Sequence, residues 1–270
     1  MSKYTILELI EQSDMDEETL ITRLDDRLDT AVYANVDASM NGLQVGTTEN
    51  KVDTVAVAVD AAMATIDTAI ERGVDLLITH HGISWGGIDR ITGREYAQIA
   101  SLMSADIDLY VSHLPLDGHH QLGNAVGLAD YINLNPDSQT PFGELNSVTI
   151  GCQGHFEDPV NVETVQQRLE SLQLDNQSVQ ILPFGPDLIE SVAIVTGSGA
   201  DWLDEAATAD VDAFITGEGK QQIYHEAREL DITVFLAGHY ATETFGVKRV
   251  AEMIESWGVE TTFISHPTGL

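Results

Sequence analysis

The chain of 270 residues carries 44 acidic side chains against 12 lysines and arginines, which gives a formal charge of −32. The acid is spread over the whole length, and such a surface repels nucleic acid and anionic membranes at ordinary ionic strength. With 43% hydrophobic residues, the chain can bury one large core or two ordinary ones, so disorder is excluded. We interpret the scattered acid as a solvated face suited to a salty cytoplasm, and a docking face for basic partners is the alternative.

Cysteine usage and the N-terminal residues both indicate a reducing compartment. The single cysteine, Cys152, excludes an intrachain disulfide and a multi-thiolate zinc site. The chain starts without a basic region followed by an apolar one, and no stretch approaches the ~20 apolar residues of a membrane span. We therefore expect a soluble, cytoplasmic protein.

The first half of the chain predicts helices alternating with apolar strands. The first 35 residues look helical, with apolar residues at helical spacing among acids: Leu7, Ile10, Leu20, Leu24 and Leu28. Predicted strands then cover 52–60, 75–79 and 107–112, and predicted helices cover 61–72, 91–104 and 124–131. Apolar runs joined by helices of this length are typical of βαβ units and a largely parallel, covered sheet.

The second half begins with a change of pattern. Prolines and glycines punctuate 132–187, where only 162–172 clearly predicts a helix. The α/β alternation then resumes with strands at 191–196, 213–216, 233–237 and 261–265, and with helices from 201, over 221–229 and over 242–257. The sequence therefore predicts an α/β fold of two lobes, 1–131 and 132–270, each with a largely parallel or mixed sheet covered by helices.

Two adjacent histidines, His80 and His81, end an apolar strand-like run and precede Gly82. Neighbouring side chains of a regular strand point to opposite faces, so the pair converges on one site only where the strand unwinds, or else serves two different ions. The glycine permits unwinding, and two imidazoles would be costly inside a core. The pattern favours metal ligands over satisfied core residues.

Carboxylates follow two other predicted strands. Asp117 lies where open α/β sheets place their ligand sites, although a turn or helix N-cap residue is an equally good interpretation. His239 and Glu243 are four residues apart, so a helix starting near Thr242 would let both grip one ion, and an ordinary helix-start pair is the alternative. Nearby histidines are candidates to orient Asp117 or a substrate, with solvated loop positions as the alternative: His113, His119 and His120.

Because the same arrangement recurs after three predicted strands, we interpret these residues as one metal site. Three histidines and two carboxylates without a thiolate suit two divalent ions per chain, Zn, Mn, Fe, Co or Ni, better than calcium or a structural zinc. Two such ions ~4 Å apart can activate water as a nucleophile near neutral pH. The predicted ligands are His80, His81, Asp117, His239 and Glu243.

Other segments are candidates for supporting roles. Thr196-Gly-Ser-Gly199 is either an anion cradle at a helix start or a tight strand-to-helix turn. Glu218 and His225 follow another predicted strand and, with His113, are candidates to move protons. Cys152 has no triad context and is interpreted as a packing residue.

These motifs resemble those of the Nif-three-like dinuclear metal proteins, the GTP cyclohydrolase 1 type 2 homologs. The resemblance covers most of the chain and is carried, in order, by Asn41-Gly-Leu-Gln-Val-Gly46, Ile78-Thr-His-His-Gly82, His113-Leu-Pro-Leu-Asp117 with His119 and Gly123-Asn124, Thr216-Gly-Glu218 with His225, and Gly238-His-Tyr-Ala-Thr-Glu243. It implies the same five metal ligands, with Glu243 shared by both ions. It also implies a site in the cleft between two α/β lobes and assembly into a ring-like homohexamer.

The leading hypothesis is a dinuclear metal-dependent hydrolase of a small nucleotide-like substrate, of the GTP cyclohydrolase type, which opens the purine ring and releases formate. Fold-level kinship does not fix the chemistry, so two alternatives stay open. One is a non-catalytic metal-binding or regulatory interaction protein. The other is a phosphoesterase of small molecules, since few basic residues lie near the motifs and polynucleotides are poor candidates.

Overall fold

The computed structural model describes residues 15–88, 90–172 and 178–270. These residues form two compact units, and each is an α/β unit with helices covering a mixed sheet, which confirms the predicted fold class. The first unit contains the chain up to His113 together with Val247–Ser265, and the second contains Leu114–Gly246 with His266–Leu270. The predicted helical positions Leu7 and Ile10 lie outside the described residues.

The sheet of the first unit has, in the described chain, the order β1-β4-β3-β2-β11, where β1 is Gly42–Val45, β2 is Thr54–Asp60, β3 is Leu76–His81, β4 is Asp108–Val111 and β11 is Glu260–Phe263. All neighbours pair in parallel except β1, which pairs antiparallel with β4 at one edge. Valine and alanine alternate along β2 and are buried, as expected for a strand inside a covered sheet. The carboxyl ends of β2, β3 and β4 therefore share one edge.

Helices of the first unit connect these strands. They are α1 (Glu17–Arg27), α2 (Thr30–Tyr33), α3 (Met63–Arg72) and α4 (Gly93–Ala105), and α11 (Thr244–Ser256) enters the unit at Val247. Helix α3 ends where Gly73 adopts a left-handed conformation with φ of 64°, a usual helix C-cap. Ile66, Leu77 and Leu109 are fully buried in the core that these elements enclose. The strands and helices predicted between residues 52 and 112 are therefore present, with ends shifted by one or two residues, whereas β1 was not predicted.

The sheet of the second unit has the order β5-β6-β8-β9-β10-β7 among the described residues, where β5 is Thr140–Leu145, β6 is Val148–Asn161, β7 is Gln180–Pro183, β8 is Leu188–Ile194, β9 is Ala213–Thr216 and β10 is Thr233–Leu236. Strands β8, β9 and β10 are parallel, whereas the others pair antiparallel. The β5–β6 hairpin was not predicted, because Gly151, Gly154 and Pro159 interrupt the strand pattern of β6.

Helices of the second unit are α5 (Leu114–Gly118), α6 (Asn124–Tyr131), α7 (Val162–Glu170), α8 (Leu203–Thr208), α9 (Ile223–Glu229) and α10 (His239–Thr242). Residues Leu128, Val165 and Ile215 are fully buried in the core of this unit. The helix predicted over 242–257 is α11, with its ends shifted by one or two residues, and the short helix α10 before it was not predicted.

The division of the chain differs from the predicted boundary between residues 131 and 132. Helix α6 packs into the core of the second unit, because Ala125 and Leu128 are buried with residues of β6, β8 and β9. Strand β11 pairs in parallel with β2 and so belongs to the first unit. Asp117 consequently belongs to the second unit, whereas the prediction assigned it to the same lobe as His80 and His81.

Across the described part of the chain, no helix combines the length and the apolar character that a membrane crossing would require.

Candidate metal centre

Three histidines gather at the carboxyl edge of the first sheet. His80 and His81 end β3, and His113 follows the parallel neighbour β4 by two residues, so the topology brings all three to the same edge. The ring centroids of His80 and His81 are 4.7 Å apart, and that of His113 lies 5.0 Å from His80 and 5.7 Å from His81. One ligand nitrogen from each ring can be chosen so that all three lie within 4.8 Å of one another.

The strand stays regular through the histidine pair, so the unwinding that Gly82 would permit does not occur there. Strand β3 continues through His81, and the two rings are held from opposite sides of the strand. His80 Nδ1 is 3.0 Å from the carbonyl oxygen of Ser112, which follows β4, and His81 Nδ1 is 2.8 Å from Oδ1 of Asp60, which ends β2. Gly82 is needed for a different reason, since a Cβ there would lie 2.5 Å from the side-chain amide of Gln44.

The partners of these rings fix their tautomers. Carbonyl and carboxylate oxygens only accept hydrogen bonds, so Nδ1 of His80 and His81 carries the hydrogen and Nε2 holds the lone pair in the neutral ring. The same holds for His113, whose Nδ1 is 2.9 Å from Oδ1 of Asp37. A carboxylate or carbonyl behind a histidine in this way is the usual support of a metal-ligating imidazole.

Asp37 is itself held in place. It accepts hydrogen bonds from the side chain of Asn41 at 2.8 Å and the backbone N–H of Ser39 at 2.8 Å. Burial by itself raises the pKa of Asp37, but its hydrogen bond and charge interaction with His113, helped by Asn41 and Ser39, lower that pKa below its usual value. Asp37 is therefore an anion that stabilises His113 with Nδ1 protonated.

A second cluster lies at the carboxyl ends of the parallel strands of the second sheet. The short helix α10 places His239 and Glu243 side by side, with Nε2 and Oε2 3.1 Å apart, and Nδ1 of His239 is 3.2 Å from Oε1 of Glu218. Glu218 follows β9 and also accepts a hydrogen bond from the hydroxyl of Ser198. Burial lowers the pKa of His239, but the hydrogen bond and charge of Glu243, and then those of Glu218, raise it to about 9.

The turn after β8 supports this cluster. Gly197 has a φ of +60°, and a Cβ at this position would lie 2.1 Å from Oε1 of Glu243, so only glycine fits. Its N–H donates to Oγ1 of Thr242 at 3.1 Å, and the N–H of Gly199 donates to Oγ1 of Thr216 at 2.9 Å. Because these donors are used inside the protein, the tight-turn interpretation fits the segment better than the anion cradle.

Asp117 is a buried carboxylate of the second unit with two hydrogen-bond donors on the same oxygen. Asn124 donates to Oδ1 through Nδ2 at 2.9 Å, and Thr196 donates to the same atom through Oγ1 at 3.2 Å. Asn124 is fixed in turn, since its Oδ1 accepts from the N–H of Gly246 at 2.7 Å. The short helix α5 thus holds the Asp117 carboxylate in a fixed orientation. A residue that only caps a helix would not need these two donors.

The remaining candidates have other surroundings. His225 lies on α9 with its ring edge-on to Tyr224, and no contact observed among the described residues joins it to His239 or Glu243. His119 accepts two backbone hydrogen bonds at Nδ1, from residues 121 and 122, so it shapes its own turn. Cys152 is buried in the core of the second unit, and burial, followed by the charge of Asp130, raises its pKa to about 12. The thiol packs, as predicted.

The donors of both clusters fit divalent ions of the first transition series. They are imidazole nitrogens and carboxylate oxygens, and several have the hydrogen-bonded partners that orient metal ligands. Calcium would require oxygen donors throughout, which the histidine cluster does not supply. The chain therefore contains groups that can bind a metal.

A pocket of about 350 Å³ adjoins His81 within the first unit. Trp85, Arg94 and Gln98 line it together with Asp60. The indole of Trp85 is half exposed and stands edge-on to His113 with 5.0 Å between centroids, while Nε2 of Gln98 donates to the carbonyl of Ala61 at 2.7 Å. An aromatic face, a cation and a fixed amide beside a histidine cluster suit a planar ligand that carries an anion.

Comparison with known proteins identifies the family. The family model Duf34/NIF3 (NGG1p interacting factor 3) matches residues 15–269. The chain belongs to the Duf34/NIF3 family. This result confirms the resemblance that the five motifs indicated.

Relatives within the Duf34/NIF3 family are similar over nearly their whole length. A protein of Halobacterium salinarum named GTP cyclohydrolase 1 type 2 homolog is 52% identical over 257 residues, covering 95% of this chain and all of the relative. A Pyrococcus abyssi protein of the same name is 42% identical over 258 residues, with the same coverage. The crystal structure of TTHA1606 from Thermus thermophilus matches with a TM-score of 0.86 and 37% identity over 95% of this chain and all of that one.

Proposed function

We propose that the chain is a dinuclear metal-dependent hydrolase of a small nucleotide-like substrate, of the GTP cyclohydrolase type. The observation that carries the proposal is the oriented donor set at the carboxyl ends of parallel strands in both units. In each unit, hydrogen bonds orient the candidate ligands. A carbonyl or carboxylate oxygen accepts from Nδ1 of a histidine, and the amide of Asn124 donates to one oxygen of Asp117. The proposed ligands are His80, His81, Asp117, His239 and Glu243.

When bound, two divalent ions would supply Lewis acidity and lower the pKa of water toward neutrality. The chain's own residues orient and move protons around them. Glu218 is half exposed, and its hydrogen bond from Ser198, followed by its contact with His239, lowers its pKa, so it stays ionised and holds Nδ1 of His239 as the proton-bearing atom. We include it in the proton-moving set because its carboxylate is accessible to a bound substrate. His113 and His225 complete the proposed set of proton-moving groups.

The proposed substrate class is a purine nucleotide whose ring is opened with release of formate. The names of the relatives support this choice, and the pocket beside His81 supports it independently. Stacking on Trp85 would hold the base, worth ~1–3 kcal/mol, and Arg94 would pair with a phosphate. A cytoplasmic location and assembly into a ring-like homohexamer are part of the same proposal.

Metal content and product analysis test the proposal together. Protein purified without chelator should contain close to two transition-metal ions per chain by elemental analysis and should release formate from GTP. Glu243→Ala should lose at least one ion and the activity while keeping its circular dichroism, whereas Glu252→Ala, an exposed glutamate on α11, should behave as wild type. Unchanged metal content in Glu243→Ala would contradict the ligand assignment.

The product distinguishes the alternatives. Phosphate instead of formate from a mononucleotide would favour the phosphoesterase. A fully loaded protein that releases neither product would favour the non-catalytic metal-binding or regulatory protein, in keeping with the family name NGG1p interacting factor 3.

A further inference from the structure

The histidine cluster of the first unit contains one imidazole more than the proposed ligand set uses. His113 comes from a different strand end than His80 and His81, yet its ring centroid lies 5.0 Å from that of His80 and 5.7 Å from that of His81. One nitrogen from each of the three rings lies within 4.8 Å of the other two. All three residues belong to the first unit, so this grouping depends on that unit alone.

We propose that His113 is a third imidazole ligand and that the first unit by itself holds one transition-metal ion through Nε2 of His80, His81 and His113. The inference rests on the metal centre of the proposed function. It moves His113 from the proton-moving groups to the ligands of that centre, and it predicts that one ion is retained when the ligands of the second unit are removed.

The position of His113 is fixed from several sides. Its backbone N–H donates to Oδ1 of Asn41 at 2.7 Å, and its Nδ1 donates to Asp37 at 2.9 Å. Asn41 also donates to Asp37, so backbone and ring are tied to the same pair of side chains. The indole of Trp85 stands edge-on to the ring with an interplanar angle of 79°. These contacts leave the ring little rotational freedom and aim its Nε2 lone pair.

A carboxylate behind a histidine also occurs in general bases, so the pairing with Asp37 alone does not decide between ligand and proton carrier. The neighbours of His113 decide it. A proton carrier needs a reacting group in front of it, whereas His113 faces two other imidazoles that carry their own lone pairs on Nε2. Three such lone pairs side by side are stabilised by a shared cation.

The chemistry selects the kind of ion. Three neutral imidazoles form the donor set of known catalytic zinc sites and leave one coordination position open for water. Ligand nitrogens bound at ~2.1 Å from one tetrahedral ion are ~3.4 Å apart. Small ring rotations that move each nitrogen by about an ångström would therefore bring all three within bonding distance of one ion. Such a set favours Zn²⁺, Co²⁺, Ni²⁺ or Cu²⁺ and disfavours Mg²⁺ and Ca²⁺.

The test uses the full chain on an Asp117→Asn background, with the other two second-unit ligands removed by the double substitution His239→Ala and Glu243→Ala. This triple variant should bind one Co²⁺ per chain. Adding His113→Gln, which keeps a polar side chain beside Asp37, should raise the Kd for Co²⁺ by ~100-fold or more, beyond the usual effect of losing an orienting partner. Adding His155→Gln, an exposed histidine of the second unit, should leave the Kd unchanged.

A second readout does not depend on any change at His113. Pulsed electron paramagnetic resonance of Cu²⁺ bound to the triple variant should count three imidazole nitrogens. A count of two, or a Kd that His113→Gln does not change, would overturn the inference. Bound metal without hydrolysis in the wild-type protein would contradict the proposed function while leaving the three-histidine site intact, and absence of metal binding would overturn both.

Discussion

Asp60 shows how a residue outside the ligand set can control a metal site. It ends β2, lies opposite His81 in the strand register, and accepts the hydrogen bond of His81 Nδ1 at 2.8 Å. The carboxylate fixes the tautomer and makes the ring a stronger donor. Its effect on metal binding is therefore transmitted through His81.

We expect Asp60→Asn to weaken Zn²⁺ binding by ~10–100-fold, because an amide cannot supply the negative charge that strengthens the imidazole donor. A chelator-competition titration measures the change, and thermal unfolding checks that the fold is kept. Asp53→Asn, an exposed position just before the same strand, should bind as wild type. Equal affinities for both variants would show that Asp60 does not support the site.

At the level of single residues, the sequence was informative about the candidate donors and uninformative about their supports. The histidines and carboxylates stand out because they follow apolar runs. Asp60 and Asp37 are 21 and 76 residues from the rings they orient, and only the strand register and the loop before β1 bring them there. The role of Gln44, which accepts hydrogen bonds from the N–H groups of Ile83 and Ser84, is likewise visible only in the fold.

Among the elements, helix α1 contains an unusual carboxyl group. Glu17 in its first turn is only 1% exposed, and burial, followed by the adjacent carboxyl group of Asp108, raises its pKa to about 8. In the unfolded chain the ordinary value is 4.5. Between these two values the folded protein retains a proton that the unfolded chain releases.

The stability should therefore fall as the pH rises from about 5 to about 8.5, because the folded state must eventually give up a proton that burial favours. Glu17→Gln removes the titrating group, so the free energy of unfolding should change less with pH. At pH 8.5 the variant should be more stable than wild type by ~3 kcal/mol. Thermal unfolding at both pH values measures it. Glu18→Gln, the exposed neighbour, is the control, and the idea fails if both variants keep the wild-type slope.

Element prediction succeeded where hydrophobic periodicity was uninterrupted. Strands β2, β3, β9 and β10 are short apolar runs and were located within a few residues. Strand β6 was missed because its glycines and proline hide the alternation, and its pairing with β5 and β8 is a tertiary property. Helix α10 was missed because its four residues are too short to show a helical periodicity.

At the scale of the whole molecule, the charge of −32 should make stability depend on salt. Self-repulsion is screened over ~10 Å in 0.1 M salt but over ~3 Å in 1 M salt. We expect the unfolding temperature, and the particle size measured by light scattering if the chain assembles as proposed, to depend strongly on KCl between these concentrations. A neutral osmolyte at equal osmolality is the control. The same particle size and unfolding temperature at both KCl concentrations would count against the prediction.

The first unit is discontinuous in sequence, and this affects the order in which the protein can be made. Strand β11 is the edge partner of β2, but it leaves the ribosome about 200 residues later. During synthesis the backbone groups along this edge of β2 stay unpaired until nearly the entire polypeptide has emerged. Until then they can pair with other chains. The second unit lacks only its last five residues by then, so the unit that starts the chain gains its edge strand only when the second unit is almost fully synthesised.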